Sequence, residues 1–160
     1  MSEIEIYVIF ADKKGIMFSK ACEYGIRATI YVAVQSMQNN RVSLKDIAKE
    51  IDSPIAFTAK ILQLLARNNI VDSVKGPTGG FQISKNKLGA LSLRHVVLAI
   101  DGDSVFKGCG LGFKVCNEKR PCPIHHKFKK VRDELQRTVG DTSIHELASE
   151  LGIGLTYLKR

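Results

Sequence analysis

No apolar run in this 160-residue chain approaches the roughly 20 residues that a membrane-spanning helix requires. A basic amino-terminal region is missing as well. The chain opens with Glu3 and Glu5, so no secretory signal is expected and the expected location is cytoplasmic. Without export, the four cysteines read as thiols or metal ligands rather than as disulfides. Catalytic signatures are lacking too: there is no Ser/His/Asp order, no phosphate-binding glycine loop and no H-E-x-x-H. His95, His125, His126 and His145 have no evident catalytic partners, so an enzyme is not expected.

What is present is ordinary in bulk and uneven in charge. Apolar residues at 44% and charged residues at 25% suit a soluble globular protein able to build a core without staples. The length fits one domain, or a small domain with an appended helix. Lysine and arginine number 24 against 16 aspartates and glutamates, a formal net charge of +8. That balance suits a polyanionic partner.

The first 18 residues form an N-terminal extension in which Ile4, Ile6, Val8 and Phe10 recur with a strand-like period of two. An edge strand and a poorly anchored tail from an early start codon are both open readings. Ser19 can cap a helix from Lys20 to Met37, with Ile26, Ile30, Ala33 and Met37 on one face, and Asn39 and Asn40 end it. Ser43 and Asp46 resemble a capping box opening a short helix through Ile51. Ser53 and Pro54 occupy the cap and first-turn positions of a third helix that ends near Asn68 and Asn69. Two short apolar runs, 70–74 and 81–83, flank Lys75-Gly76-Pro77-Thr78-Gly79-Gly80, which predicts a hairpin with a glycine-rich tip.

Three helices and a hairpin make a winged helix-turn-helix over residues 19–101, and the short Asp52-Ser53 gap fits its tight turn. The third helix divides cleanly. Phe57, Thr58, Ile61, Leu62, Leu64 and Leu65 form one side, and Ala56, Ala59, Lys60, Gln63 and Arg67 the other. Small side chains near its N-terminus allow close approach to a groove, where base edges are read. The expected contacts with double-stranded DNA from the helices are Lys45, Ser53, Ala56, Lys60 and Gln63, with an affinity that falls steeply with salt.

A further helix from Ser92 to Ile100 leads through Asp101-Gly102-Asp103 into a loop at 102–122 that carries Cys109, Cys116 and Cys122, spaced C-x6-C-x5-C. Thiolate sulfur selects iron–sulfur clusters or zinc. Glycines at 108, 110 and 112 allow the backbone to bend and bring N–H groups to sulfur. Paired C-x2-C knuckles are absent, which favours a cluster, while a three-cysteine, one-histidine zinc site and a metal-free thiol switch stay open. Residues 123–160 are the expected dimerisation helix and tail. Pro123 starts a long helix to about Val139, with Ile124, Phe128, Val131, Leu135 and Val139 as a narrow seam suited to a homodimer. Gly140 is expected to stop it, and Thr142 or Ser143 to cap a short terminal helix. The fold class is mainly α with one small β-hairpin.

The segment VSLKDIAKEIDSPIAFTAKILQLLARNNIVDSVKGPTGGFQIS resembles the winged-helix regulator family that includes the iron–sulfur cluster regulator IscR and the nitric-oxide-responsive repressor NsrR. Its mark is the run from Asn68 to Phe81, with a K-G-P-x-G-G-[FY] wing, and the resemblance spans about Met17 to Leu151. It implies a homodimeric transcription factor, usually a repressor, on a palindromic operator. The wing would enter the minor groove through Lys75, Gly79 and Gly80. It also implies that the three cysteines hold an iron–sulfur cluster, two-iron two-sulfur rather than four-iron four-sulfur, whose state alters DNA affinity. Family loops commonly read C-x5-C-x5-C, so the extra residue between Cys109 and Cys116 is a departure. His125, in a C-x-x-H step from Cys122, is the expected fourth ligand. Glu23, supplied by a partner's first helix, is the alternative, and His126 is a weaker one.

Overall fold

The computed structural model describes residues 17–158, so the strand or tail read at residues 1–16 lies outside the described residues. The described order is α1 (Lys20–Met37), α2 (Leu44–Glu50), α3 (Ile55–Arg67), β1 (Asp72–Val74), β2 (Gly80–Gln82), α4 (Lys85–Leu88), α5 (Leu93–Asp101), α6 (Ser104–Lys107), α7 (His125–Asp141) and α8 (Ile144–Gly152). It is a mainly helical winged helix-turn-helix with a two-stranded antiparallel wing.

Local chemistry accounts for most element ends. Ser19, Ser43 and Ser143 accept the backbone N–H three residues on, from Cys22, Asp46 and Glu146, and so start α1, α2 and α8. Three helices end alike. Asn39, Asp52 and Asn69 take positive φ, and the next residue donates back to the carbonyl five before it: Asn40 to Gln35, Ser53 to Ala48, Ile70 to Leu65. Asn and Asp tolerate this left-handed step better than most side chains, so they stand where a helix must turn sharply.

The expected capping role of Ser53 is not what the structure has. Pro54 occupies the cap position of α3, no side chain caps the helix, and Ser53 Oγ is buried without a partner. Gly140 does not stop α7 either. The helix runs through it to Asp141, because an isolated glycine costs only about 1 kcal/mol in a helix whose other bonds persist.

α1 is the central post. Its inner face is built from small residues, Ala21, Cys22, Gly25, Ala28 and Ala33, which let α3, α5 and α8 pack close around it. Ile47, Ile51, Ile61, Leu62, Leu65, Ile70 and Val96 fill the main core, and Ile144 and Ala148 of α8 join it. Full burial of such a side chain contributes about 1.5–3 kcal/mol. The wing is tied down as well. Val42, between α1 and α2, exchanges two backbone hydrogen bonds with Phe81, of 3.0 and 2.8 Å, and Ile83 N donates to Ser36 Oγ. Asp101, at the end of α5, accepts from Ser19 N at 2.8 Å and from Ser19 Oγ, so the entry to the cysteine loop is pinned to the start of α1.

The apolar seam read along α7 is divided by the fold. Val139 is buried and Leu135 half-buried against Cys22, Val97 and Phe106, whereas Phe128 and Val131 are 38% and 59% exposed. The buried stripe of the helix is His125, Arg132 and Val139, one residue every seven. Two of these are polar, so hydrophobicity alone does not reveal the stripe.

Candidate functional site

Two surfaces carry the chemistry. On the first, Ala56 and Gln63 are exposed on α3, Lys60 is half-buried, Lys45 is exposed on α2 and Lys75 is exposed at the wing. Gly79 and Gly80 are half-buried at the wing's return. An open cleft of about 480 Å³ lies where α2 meets the start of α3, lined by Lys45, Lys49, Ser53, Pro54 and Ile55. Lys45 and Lys49 offer donors of the kind that meet phosphate oxygens, while the Ser53 hydroxyl beside them is buried. The sequence gives no sign that sets Arg41 apart from the other basic residues. In the structure Arg41 Nε donates to Gln82 Oε1 at 2.9 Å and Nη1 to the Thr78 carbonyl at 3.4 Å, so it steadies the wing tip.

The second surface is a pocket of about 250 Å³ whose walls include Cys109, Cys116, Cys122 and His125, together with Phe113, Arg120 and Pro123. Backbone geometry brings these residues together. His125 N donates to the Cys122 carbonyl, which starts α7 and turns the imidazole inward. Gly112, at φ 76°, closes a turn onto the Cys109 carbonyl at 2.9 Å. Gly110 lies flat on α7: a β-carbon there would fall 2.8 Å from the Phe128 ring and 3.0 Å from Ile124. Only a residue without a side chain lets the loop approach this closely.

The four donors stand as two pairs. Cys109 Sγ and Cys122 Sγ are 4.0 Å apart, and Cys116 Sγ lies 3.3 Å from His125 Nδ1. His125 is 3% exposed, and its Nε2 is buried with no hydrogen-bond partner. The sulfur of Cys109 takes backbone N–H groups from Leu111 and Phe113, which hold its thiol below the usual range because they favour the thiolate. Among the described residues, no three His, Cys, Asp or Glu side chains already surround a single ion position.

The other expected participants stand elsewhere. Glu23 forms an ion pair with Lys20 at 2.6 Å and is not part of the pocket wall of its own chain. His126 is exposed and stacks edge-on against the His125 ring, outside the wall. Cys22 is fully buried, and burial together with the Asp101 charge pushes its thiol far up, so it is chemically quiet. One residue was missed. Arg132 reaches the Cys116 sulfur from α7 at 3.4 Å, and its spacing of seven from His125 was the signal that could have found it.

Comparison with known proteins agrees with this architecture. The profile of the Rrf2 family, described as iron-dependent transcriptional regulator, matches residues 18–150. A chain of Aquifex aeolicus (strain VF5) named as an HTH-type transcriptional regulator is 28% identical over 134 residues, 82% of this chain and 91% of that one. The regulator IscR of Xenorhabdus nematophila is 27% identical over 124 residues, covering 78% and 74%. Among solved structures, CymR of B. subtilis, titled the global cysteine regulator, superposes with a TM-score of 0.69 at 18% identity, over 84% of this chain and 98% of that one. IscR of T. potens does so with 0.67 at 15% identity, over 89% and 93%. No helix among the described residues is long and apolar enough to cross a membrane. With the winged helix-turn-helix complete and the family profile spanning nearly all of it, the chain belongs to the Rrf2 family of transcriptional regulators.

Proposed function

We propose that this regulator is a cytoplasmic homodimeric repressor whose grip on a palindromic operator is set by an iron–sulfur cluster. Cys109, Cys116, Cys122 and His125 would hold the cluster. The observation that carries the reading is their meeting in one pocket, with the His125 imidazole almost fully buried and one ring nitrogen unpartnered. A buried ring nitrogen without a partner is costly unless something takes the place of the missing bond.

The donor set fits a two-iron centre better than a single ion. Metal–sulfur bonds of about 2.3 Å place two sulfurs of one tetrahedral metal roughly 3.8 Å apart, close to the observed 4.0 Å of Cys109 and Cys122. Each iron of a two-iron cluster takes two protein ligands, and the pocket offers two pairs. One histidine among the ligands raises the reduction potential relative to four cysteines. When bound, such a centre supplies a one-electron couple that responds to oxidants. The extra residue between Cys109 and Cys116 is accommodated in exposed backbone, since 110–115 are all exposed.

On the DNA side, Ala56, Lys60 and Gln63 of α3 would face the major groove, and Lys75, Gly79 and Gly80 the minor groove. Lys45 would meet phosphate at the cleft, next to the turn at Ser53. The exposed half of the α7 seam, Phe128 and Val131, is the patch a second copy would cover.

A metal-free thiol switch is the second reading, favoured by the 4.0 Å approach of Cys109 and Cys122 and by the lowered Cys109 thiol. One purification separates the two. Protein isolated without oxygen from iron-replete cells should be coloured and contain iron and acid-labile sulfide in equal amounts. Replacing Cys109, Cys116 and Cys122 by serine should remove both and change operator occupancy. A colourless wild-type protein without iron would refute the cluster.

A further inference from the structure

Arg132 lies two turns beyond His125 on the same face of α7, and it is 8% exposed. Nη1 donates to the carbonyls of Lys107 at 3.1 Å and of Gly108, and Nη2 reaches Cys116 Sγ at 3.4 Å. Nε is buried with no partner. Among the described residues no carboxylate stands within ion-pair distance of this guanidinium. Its other neighbour is the Phe128 ring, 5.9 Å away.

This is an unusual expense for a small protein. A guanidinium keeps its charge at any physiological pH, and a buried charge without a counter-charge is strongly unfavourable. Two carbonyl dipoles and one sulfur satisfy some of its donors but supply no full negative charge. The missing charge would come from the pocket itself. Sulfur ligates metal as thiolate, and a two-iron, two-sulfide centre held by three thiolates and a neutral imidazole is net negative.

We infer that Arg132 is the positioning residue of this centre: its charge balances the sulfur ligands, and its fork ties Cys116 to the backbone beside Cys109. The inference rests on the cluster reading above. The geometry gives it reach over both donor pairs, because Nη2 touches Cys116 of one pair while Nη1 holds Gly108, the residue before Cys109 of the other. Lysine cannot do the same, since an ammonium has no planar fork to span two carbonyls and a sulfur. A hydrogen bond and a positive charge at a ligand sulfur stabilise the more negative, reduced state of a cluster, and so raise its potential.

The test compares full-length wild type with Arg132→Met, Arg132→Gln and Arg132→Lys, all isolated without oxygen. Iron and sulfide content, the visible circular dichroism spectrum, the midpoint potential and the rate of iron release to a chelator are measured. Far-ultraviolet circular dichroism reports whether each variant is folded. The neutral variants should shift the reduction equilibrium at least tenfold toward the oxidised state, about 59 mV for a one-electron couple. They should also release iron at least tenfold faster. Arg132→Lys should recover part of both effects, which a residue that merely caps two carbonyls would not do for the potential.

If Arg132→Met does not fold, Arg132→Gln carries the comparison. Loss of the cluster from both neutral variants with retention in Arg132→Lys also supports the assignment. Neutral variants with the wild-type potential would overturn it. So would a lysine variant no closer to wild type, in potential or iron content, than the neutral ones. A wild-type protein with no iron and no sulfide would instead sink the cluster reading itself, and this inference with it.

Discussion

Replacing Gly80 by alanine attacks the wing at its root. Gly80 ends the hairpin turn at φ 139°, a conformation alanine adopts only with strain. A β-carbon there would also fall 2.7 Å from the Val42 carbonyl oxygen and 3.1 Å from its carbon. Neither atom can swing aside, because that carbonyl accepts the Phe81 N–H that docks the wing onto the segment between α1 and α2. Backbone strain of this kind costs about 1–3 kcal/mol. Losing the paired Val42–Phe81 hydrogen bonds costs about 0.5–1.5 kcal/mol each.

The sum is about 4 kcal/mol, a large share of the ~5–15 kcal/mol that holds a domain folded. For a chain of this length it corresponds to a melting temperature lower by roughly 8–16 °C. Two controls isolate the terms. Gly76→Ala, at φ 104° with nothing within 4 Å, should cost the strain alone, about 1–2 kcal/mol. Gly89→Ala, at φ −74° with open space around it, should be neutral or slightly stabilising. Thermal unfolding followed by far-ultraviolet circular dichroism ranks the three. A Gly80→Ala protein that melts within 2 °C of wild type would refute the argument that the Val42–Phe81 contact fixes the wing.

Three further substitutions probe the packing and the charge. Lys75→Ala should weaken DNA binding about equally across sequences and reduce the slope of log affinity against log salt by about 1; an unchanged slope would remove Lys75 from the interface. On α7, Val139→Ala should destabilise the fold by roughly 2 kcal/mol, since Val139 is 2% exposed. Val131→Asp should leave melting of the monomer nearly unchanged while abolishing self-association in sedimentation, and a stable Val131→Asp dimer would exclude the exposed seam as the contact.

Elements whose ends are fixed by local chemistry were legible from residues alone. Ser19, Ser43 and Ser143 mark helix starts because a hydroxyl accepts the orphan N–H groups, and Asn39 and Asn69 mark ends because they accept a left-handed step. Ser53 misled, because the serine-proline pair places the proline at the cap and leaves the serine in the turn. The helices α4 and α6, four residues each, are too short to display a period and were not foreseen. The seam of α7 was read by hydrophobicity, which cannot weigh a buried imidazole and guanidinium; their burial depends on what the loop at 102–122 brings to them. That Cys109, Cys116 and Cys122 share one pocket is legible in their spacing and glycines, and His125 is brought in by the family resemblance, but the arrangement of the four as two pairs depends on turn geometry that the sequence does not spell out. Arg132 is hidden because Lys127, Lys129 and Lys130 precede it on the same helix with the same charge.

The firm seat of the far end of α7 has a mechanical consequence. A helix of 17 residues at ~1.5 Å per residue is about 25 Å long. Its far end is held by Val139 in the secondary core and by the bridge between Ser92 and Ser143, where Leu93 N donates to the Thr142 carbonyl and Ile144 N to the Leu91 carbonyl. A tilt of only about 5° around that fixed point would carry His125 roughly 2 Å, given the same rise per residue. Such a tilt would turn a small adjustment at the pocket into an angular change at the root, and the root is bolted to the helices that α1 gathers around it.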